Sequence, residues 1–198
     1  VQTCALPIFT DPNGHARNLH YNALGCVIEA DDELNNATFI TNDTQRNRTN
    51  IKDARAFNWA YTYDSMGNVL TAKDPYLNTT TLTYNTFGEV LTATDPLGHT
   101  TTATYDSTGN LLTAVNSLGV TTLSVSYNGL GLPLSTTNAA NLTTTYAYDA
   151  NGHLTSTTDP LGHAVTLTRN TLGWVTQVTN AQNGTIDLLH KSRFKNVP

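Results

Sequence analysis

The chain has 198 residues, ten Lys plus Arg against fifteen Asp plus Glu, and a formal net charge of −5. Charged residues make up only 13%, and no Lys or Arg occurs between Lys73 and Arg169, which excludes a basic groove for nucleic acid over that stretch. No apolar run of about 18 residues is present, so no membrane span is predicted, and two cysteines, Cys4 and Cys26, are too few for a disulfide framework.

What the composition favours is β-structure. Thr fills roughly a fifth of the chain and Asn roughly a tenth, well above ordinary usage. The branched Cβ of Thr packs well on a pleated surface. Asn and Gly tolerate the positive φ of tight turns.

In chain order, the opening VQTCALPI (Val1–Ile8) resembles a translated sequencing adapter. Residues 1–10 are therefore expected to be a non-native segment, Cys4 included. From residue 11 to 189 a repeat array is predicted. DPNGHARNLH, starting at Asp11, is half a repeat and matches DPLGHTTTAT from Asp95. Tyr21 opens YNALGCVIEADDELNNATFIT, and the block from Asn42, NDTQRNRTNIKDARAFNWAYT, holds the same frame in degraded form. Further repeats start at Tyr63, Tyr84, Tyr105, Tyr127, Tyr148 and Arg169. That makes eight repeats at a spacing of 21, with one extra residue in the Tyr105 block. Residues 190–198 form an unassigned tail. A fixed period of this size is the mark of a repeat architecture.

Each repeat carries two turn signals. The first is YDxxG, as in Tyr63-Asp64 with Gly67, Tyr105-Asp106 with Gly109 and Tyr148-Asp149 with Gly152; Tyr84 with Gly88 and Tyr127 with Gly131 carry Asn in place of Asp. The second is DPxG, as in Asp95-Pro96 with Gly98 and Asp159-Pro160 with Gly162. An Asx side chain can bond the backbone two residues on, Pro presets φ, and Gly supplies a positive φ. Between the turns lie strand-like segments such as Val90–Thr94 and Thr100–Tyr105. Each repeat thus reads as a β-hairpin, and the expected fold is all-β: sixteen strands in a curved, spiralling antiparallel sheet, since wide flat sheets are disfavoured. Leu70, Leu91, Leu112 and Leu134, with Ala72, Ala93 and Ala114 two residues on, mark one face and a thin core. The repeated Tyr residues form a second ladder.

These residues resemble the YD-repeat, or RHS-repeat, family, whose core is Y-D-x-x-G-[NR]-[LV] followed by D-P-x-G. The likeness runs from Asp11 to about Leu189 and recurs in one frame. In that family the hairpins form a large hollow spiralling shell. Bacterial members, similar to Rhs and wall-associated proteins, often enclose or present a C-terminal toxin, whereas animal relatives are cell-surface adhesion proteins. The resemblance implies a structural scaffold in a secreted or surface-exposed, bacterial protein, and an internal slice of a longer reading frame. Its partners would be further repeats and an effector domain of the same polypeptide. The alternative is a carbohydrate- or cell-surface-binding adhesion module. The pattern departs at Arg46, Ala56 and Leu77, which replace turn glycines, and at Asn42 and Arg169, which replace Tyr.

No catalytic residue, metal ligand or cofactor site is predicted. His15, His99 and His163 each follow a turn Gly, but His99 and His163 lie three repeats apart, too far to converge on one ion. Asp64, Asp74, Asp95, Asp106, Asp149 and Asp159 lack the GGxGxD pattern of a calcium β-roll and read as turn starters. The many acids offer no unique pair for glycoside hydrolysis. Cys26 reads as a free surface thiol, and G-x-S-x-G is absent. The Tyr ladder reads as cross-strand packing rather than as a sugar platform.

Overall fold

In the computed structural model, residues 4–5, 9–10 and 16–188 are described. His15, most of the expected 1–10 segment and the 190–198 tail lie outside them. The described residues are all-β and contain no helix long and apolar enough to cross a membrane. The chain divides into two units, Val1–Thr102 and Ala103–Pro198.

In the first unit, β1 (Cys4–Ala5) and β2 (Phe9–Thr10) both pair with β3 (Ala16–Tyr21). The chain then runs as an antiparallel meander through β4 (Val27–Asp31), β5 (Ala37–Asn42), β6 (Arg48–Lys52), β7 (Asn58–Tyr63), β8 (Val69–Lys73), β9 (Thr79–Tyr84), β10 (Val90–Thr94) and β11 (Thr100–Tyr105). β11 begins in the first unit and ends in the second. The second unit continues the pattern with β12 (Leu111–Val115), β13 (Thr121–Tyr127), β14 (Pro133–Asn138), β15 (Thr143–Tyr148), β16 (Leu154–Thr158), β17 (Ala164–Arg169), β18 (Val175–Thr179) and β19 (Thr185–Asp187). The strands β4 to β19 are the sixteen strands that the repeat frame predicts. Val90–Thr94 and Thr100–Tyr105 have the bounds read from the sequence.

The Asn42 block folds as a hairpin like its neighbours: β5 and β6 pair antiparallel, as do β6 and β7. Its loss of motif residues changes the side chains and not the topology.

Two irregularities of register follow the repeat. Beside the first turn of seven repeats a residue is bulged out of the ladder. In the Tyr63 repeat, Tyr63 faces Val69 but Thr62 faces Thr71, so Leu70 has no partner of its own. Leu91 and Leu134 hold the same position. Leu70, Leu91 and Leu134 of the Leu ladder are therefore bulge residues, which bend and twist a strand locally. The extra residue of the Tyr105 block is absorbed the same way: Val115 faces Thr121 and Ala114 faces Leu123. The insertion lengthens β13 to seven residues and leaves the turn unchanged.

The pleat sorts side chains onto two faces. One face carries pairs such as Ile51 opposite Trp59, Leu82 opposite Ala93 and Leu167 opposite Val178. The other carries hydroxyl pairs: Thr62 with Thr71, Thr83 with Thr92 and Thr104 with Thr113 at 2.6 Å, and Ser126 with Ser135 at 2.7 Å. No side chain among the described residues is fully buried. The expected thin core is thus a half-buried apolar face, and Leu134 is exposed. Order in each unit rests on the strand ladders and turns rather than on a packed interior.

Candidate functional site

The most regular chemistry in the protein is its turns. Sixteen turns start at an Asp or Asn, from Asn22 to Asn180, and all share one hydrogen-bond pattern. At Asp64, the Gly67 amide donates to the Asp64 carbonyl at 3.2 Å and the Asp64 amide to the Asn68 carbonyl at 2.9 Å. The carboxylate Oδ1 accepts the amides of Met66 at 2.8 Å and Asn68 at 2.9 Å. The Asp95 turn repeats this with the amides of Leu97 and His99. The two sequence signals, YDxxG and DPxG, thus build one and the same turn. Pro96 and Pro160 occupy its second position, where no amide is needed for the pattern.

The fourth residue must be left-handed, as in hairpin loops closed by a residue of positive φ. Gly67, Gly88, Gly98, Gly109, Gly131, Gly152 and Gly162 lie between +74° and +89°. Arg46, Ala56 and Leu77 adopt φ of 72°, 66° and 71° without the freedom of glycine.

The other carboxylate oxygen is clasped by the fifth residue. Asn68, Asn78 and Asn110 donate their side-chain amides to Asp64, Asp74 and Asp106 at 2.8–2.9 Å. Where that residue is His, the ring takes over: His99 Nδ1 lies 2.9 Å from Asp95 Oδ2, His163 Nδ1 2.9 Å from Asp159 Oδ2, and His153 Nδ1 3.1 Å from Asp149 Oδ2. The side chains of His99 and His163 are engaged within their own turns. These bonds favour the ionised carboxylate. The Asn68 amide holds Asp64 below the usual carboxylate range, the His99 ring does so for Asp95, and the His153 and His163 backbone amides do so for Asp149 and Asp159. Asp106, clasped by Asn110 and Thr108, is lowered furthest.

The tyrosines act between repeats. The hydroxyl of Tyr63 donates to the carbonyl of Arg48 at 2.8 Å, that of Tyr84 to Val69 at 2.8 Å and that of Tyr127 to Leu111 at 2.9 Å. Each acceptor is the residue just before the bulge position of the preceding repeat. Asn42 and Arg169 stand where Tyr is absent and keep the tether: Asn42 Nδ2 donates to Val27 at 3.0 Å and Arg169 Nη2 to Leu154 at 3.1 Å. Tyr105 and Tyr148 end β11 and β15 at the same repeat position.

Two of the three acids beside a concavity of the first unit are also committed to structure. The hollow beside Ala30, Thr38 and Arg55 includes Asp31, Asp32 and Asp53. Asp32 and Asp53 start turns, and the Arg55 guanidinium lies 3.1 Å from Asp53. Cys26 is a half-buried free thiol whose amide closes the Asn22 turn.

One cluster stands apart. His20, Glu29 and Asp31 bring one ligand atom each within 4.8 Å of one another, with His20 Nε2 3.4 Å from Asp31 Oδ2. The sequence reading passed over it because these residues are not turn starters and their convergence depends on the β3–β4 register. The signal was that His20 and Glu29 stand where the Tyr63, Tyr84 and Tyr105 repeats pair Thr with Thr.

Residues 84–121, 127–164 and 148–185 match the family model described as RHS Repeat. No curated protein sequence matches the chain. Among solved structures, the crystal structure of TcdB2-TccC3-TEV is similar at a TM-score of 0.54 and 13% identity, over 87% of this chain and 12% of that one. The crystal structure of TcdB2-TccC3 without its hypervariable C-terminal region is similar at 0.52 and 14% identity, over 83% and 11%. The chain therefore spans about an eighth of the length of these structures, and at such identities the likeness concerns the fold. With turn, tether and bulge recurring in the frame that the family model matches, the chain belongs to the RHS-repeat family.

Proposed function

We propose that this array is wall material: it builds part of a shell that encloses or presents an effector domain of the same polypeptide, in a secreted or cell-surface bacterial protein. The observation that carries the reading is the tether from five of the repeats, at Asn42, Tyr63, Tyr84, Tyr127 and Arg169, to a carbonyl of the preceding repeat, which lets one hairpin template the next. Turns clasped by their own side chains support it, because they need no partner to hold their shape. Nineteen repeat positions then have structural work: Tyr63, Tyr84, Tyr105, Tyr127 and Tyr148 as tether positions, Asp64, Asp95, Asp106, Asp149 and Asp159 as turn starters, and Pro96, Pro160 and the seven glycines as turn formers. The reading assigns no catalysis to the array. Tyr hydroxyls bonded to backbone favour packing over a sugar platform.

The experiment is limited proteolysis of the protein expressed from its whole reading frame. The segment following the repeats should resist cleavage while the shell is intact and become sensitive once it is opened by denaturant. Digestion of that segment at the same rate with and without the repeats would sink the enclosure reading.

A further inference from the structure

We propose that His20, Glu29 and Asp31 form a binding site for a single divalent transition ion of the zinc class, a cross-strand staple between β3 and β4. The register creates it. His20 faces Glu29 directly across the ladder, and Asp31 lies two residues beyond Glu29 on the same face. One imidazole and two carboxylates thus converge from a rigid two-strand platform rather than from a loop.

The distances fit. The three donor atoms lie within 4.8 Å of one another. Zinc bonds of about 2.0–2.2 Å in a tetrahedron put neighbouring ligand atoms about 3.4 Å apart. The His20 Nε2 to Asp31 Oδ2 distance is 3.4 Å. That separation is long for a charge-assisted hydrogen bond, which closes to about 2.7–2.9 Å. Three protein ligands leave the fourth position for water, and imidazole with carboxylate suits zinc-class ions better than calcium.

The electrostatics point the same way. Glu29 and Asp31 place two carboxylates side by side on one face, where like charges destabilise a sheet. The Asp31 side chain is only 16% exposed and that of His20 31%, so water screens the repulsion incompletely. A cation removes it. At the same repeat position, Thr62 faces Thr71, Thr83 faces Thr92 and Ser126 faces Ser135, each pair joined through its hydroxyls. Three other repeats place Thr41 opposite Asn50, Ala147 opposite Ser156 and Thr168 opposite Gln177 there, so the position varies, but among the described residues only His20 and Glu29 put metal-ligand side chains on both strands. Where four repeats carry a satisfied hydroxyl pair, this one carries metal ligands.

The repeat supplies its own control. His20→Thr with Glu29→Thr installs the pair found in the Tyr63, Tyr84 and Tyr105 repeats and leaves the ladder intact. Zinc is titrated into the 198-residue chain against a chromophoric chelator, with calcium in parallel. One equivalent of zinc is expected to bind at least tenfold more tightly than calcium, and to slow hydrogen exchange in β3 and β4. The double variant, and Asp31→Asn alone, should weaken that binding at least tenfold, while His153→Asn in a turn clasp leaves it unchanged. Absence of zinc binding by the native chain overturns the proposal. So does zinc binding that survives the double variant undiminished, which would place the ion on other residues.

Discussion

The hydroxyl of Tyr84 donates to the backbone carbonyl of Val69, fifteen positions earlier in the chain, at 2.8 Å. Partial burial, then the Asp64 carboxylate, raises the Tyr84 phenol above its usual pKa, so it remains a proton donor. Replacing Tyr84 by Phe keeps the ring and deletes only the tether. A hydrogen bond of this kind contributes about 1 kcal/mol, which corresponds to roughly fivefold faster exchange of amides that open locally. Hydrogen exchange by mass spectrometry should show that acceleration in β8 and β9 and no change in β14 to β17. Unchanged exchange in β8 and β9 would show that the tether contributes nothing.

Leu77 holds a φ of 71° at the closing position of the Asp74 turn, where the Asp95, Asn116 and Asp159 turns use glycine. A left-handed backbone costs a side-chain-bearing residue about 1–2 kcal/mol, and the greater chain entropy of glycine offsets about half of that. The Leu77 side chain is 70% exposed, so its removal forfeits little packing. Leu77→Gly should therefore stabilise the hairpin, seen as slower exchange of the Asn78 and Thr79 amides. Gly98→Leu should do the reverse at the Asp95 turn. Destabilisation by Leu77→Gly would mean that the exposed leucine has a packing role not visible in its exposure.

Much of this is legible in the sequence. Period, strand bounds and turn positions follow from Asx, Gly and Pro, because those residues act on the backbone within four positions. Four features are not. The bulge beside the Tyr turn depends on pairing register, which Leu70 alone does not encode. The identity of the two turns was hidden by Pro96 and Tyr63, which sit at places the hydrogen-bond pattern does not use. The His20–Glu29–Asp31 cluster required knowing that residue 20 faces residue 29. Asn42 and Arg169 looked like lost tyrosines; only the donor positions of Nδ2 and Nη2 reveal that the tether persists.

The turn carboxylates make a prediction about acid. Asn68 lowers Asp64, His99 lowers Asp95, and the His163 amide lowers Asp159. Each folded pKa lies below the unfolded value of about 3.9. Their stabilisation is therefore complete above about pH 4 and is lost as the pH falls through the folded values. Turns that start with Asn116, Asn128 or Asn138 contain no such group. Exchange measured from pH 5 to pH 2.5, corrected for intrinsic rates, should show the Leu97 amide losing protection while the Leu130 amide, bonded to Asn128 at 2.9 Å, keeps it. Equal loss at both amides would contradict a local carboxylate origin.

Arg169 tests whether the tether or the tyrosine is what the repeat needs. Its Nη2 reaches the Leu154 carbonyl at 3.1 Å and its Nη1 the Gly173 carbonyl at 3.1 Å, while Nε is buried without a partner. The second bond braces the turn of its own repeat. The unpaired Nε carries a desolvation cost that opposes these gains. Arg169→Tyr restores the residue of other repeats, keeps a donor for Leu154 and removes the unpaired nitrogen. It should match or exceed the native chain in the protection of β16 to β18. Arg169→Leu leaves the Leu154 and Gly173 carbonyls without these donors and should speed exchange there about fivefold, for a loss of about 1 kcal/mol. If tyrosine proves as damaging as leucine, the Gly173 brace, and not the tether to Leu154, is what Arg169 provides.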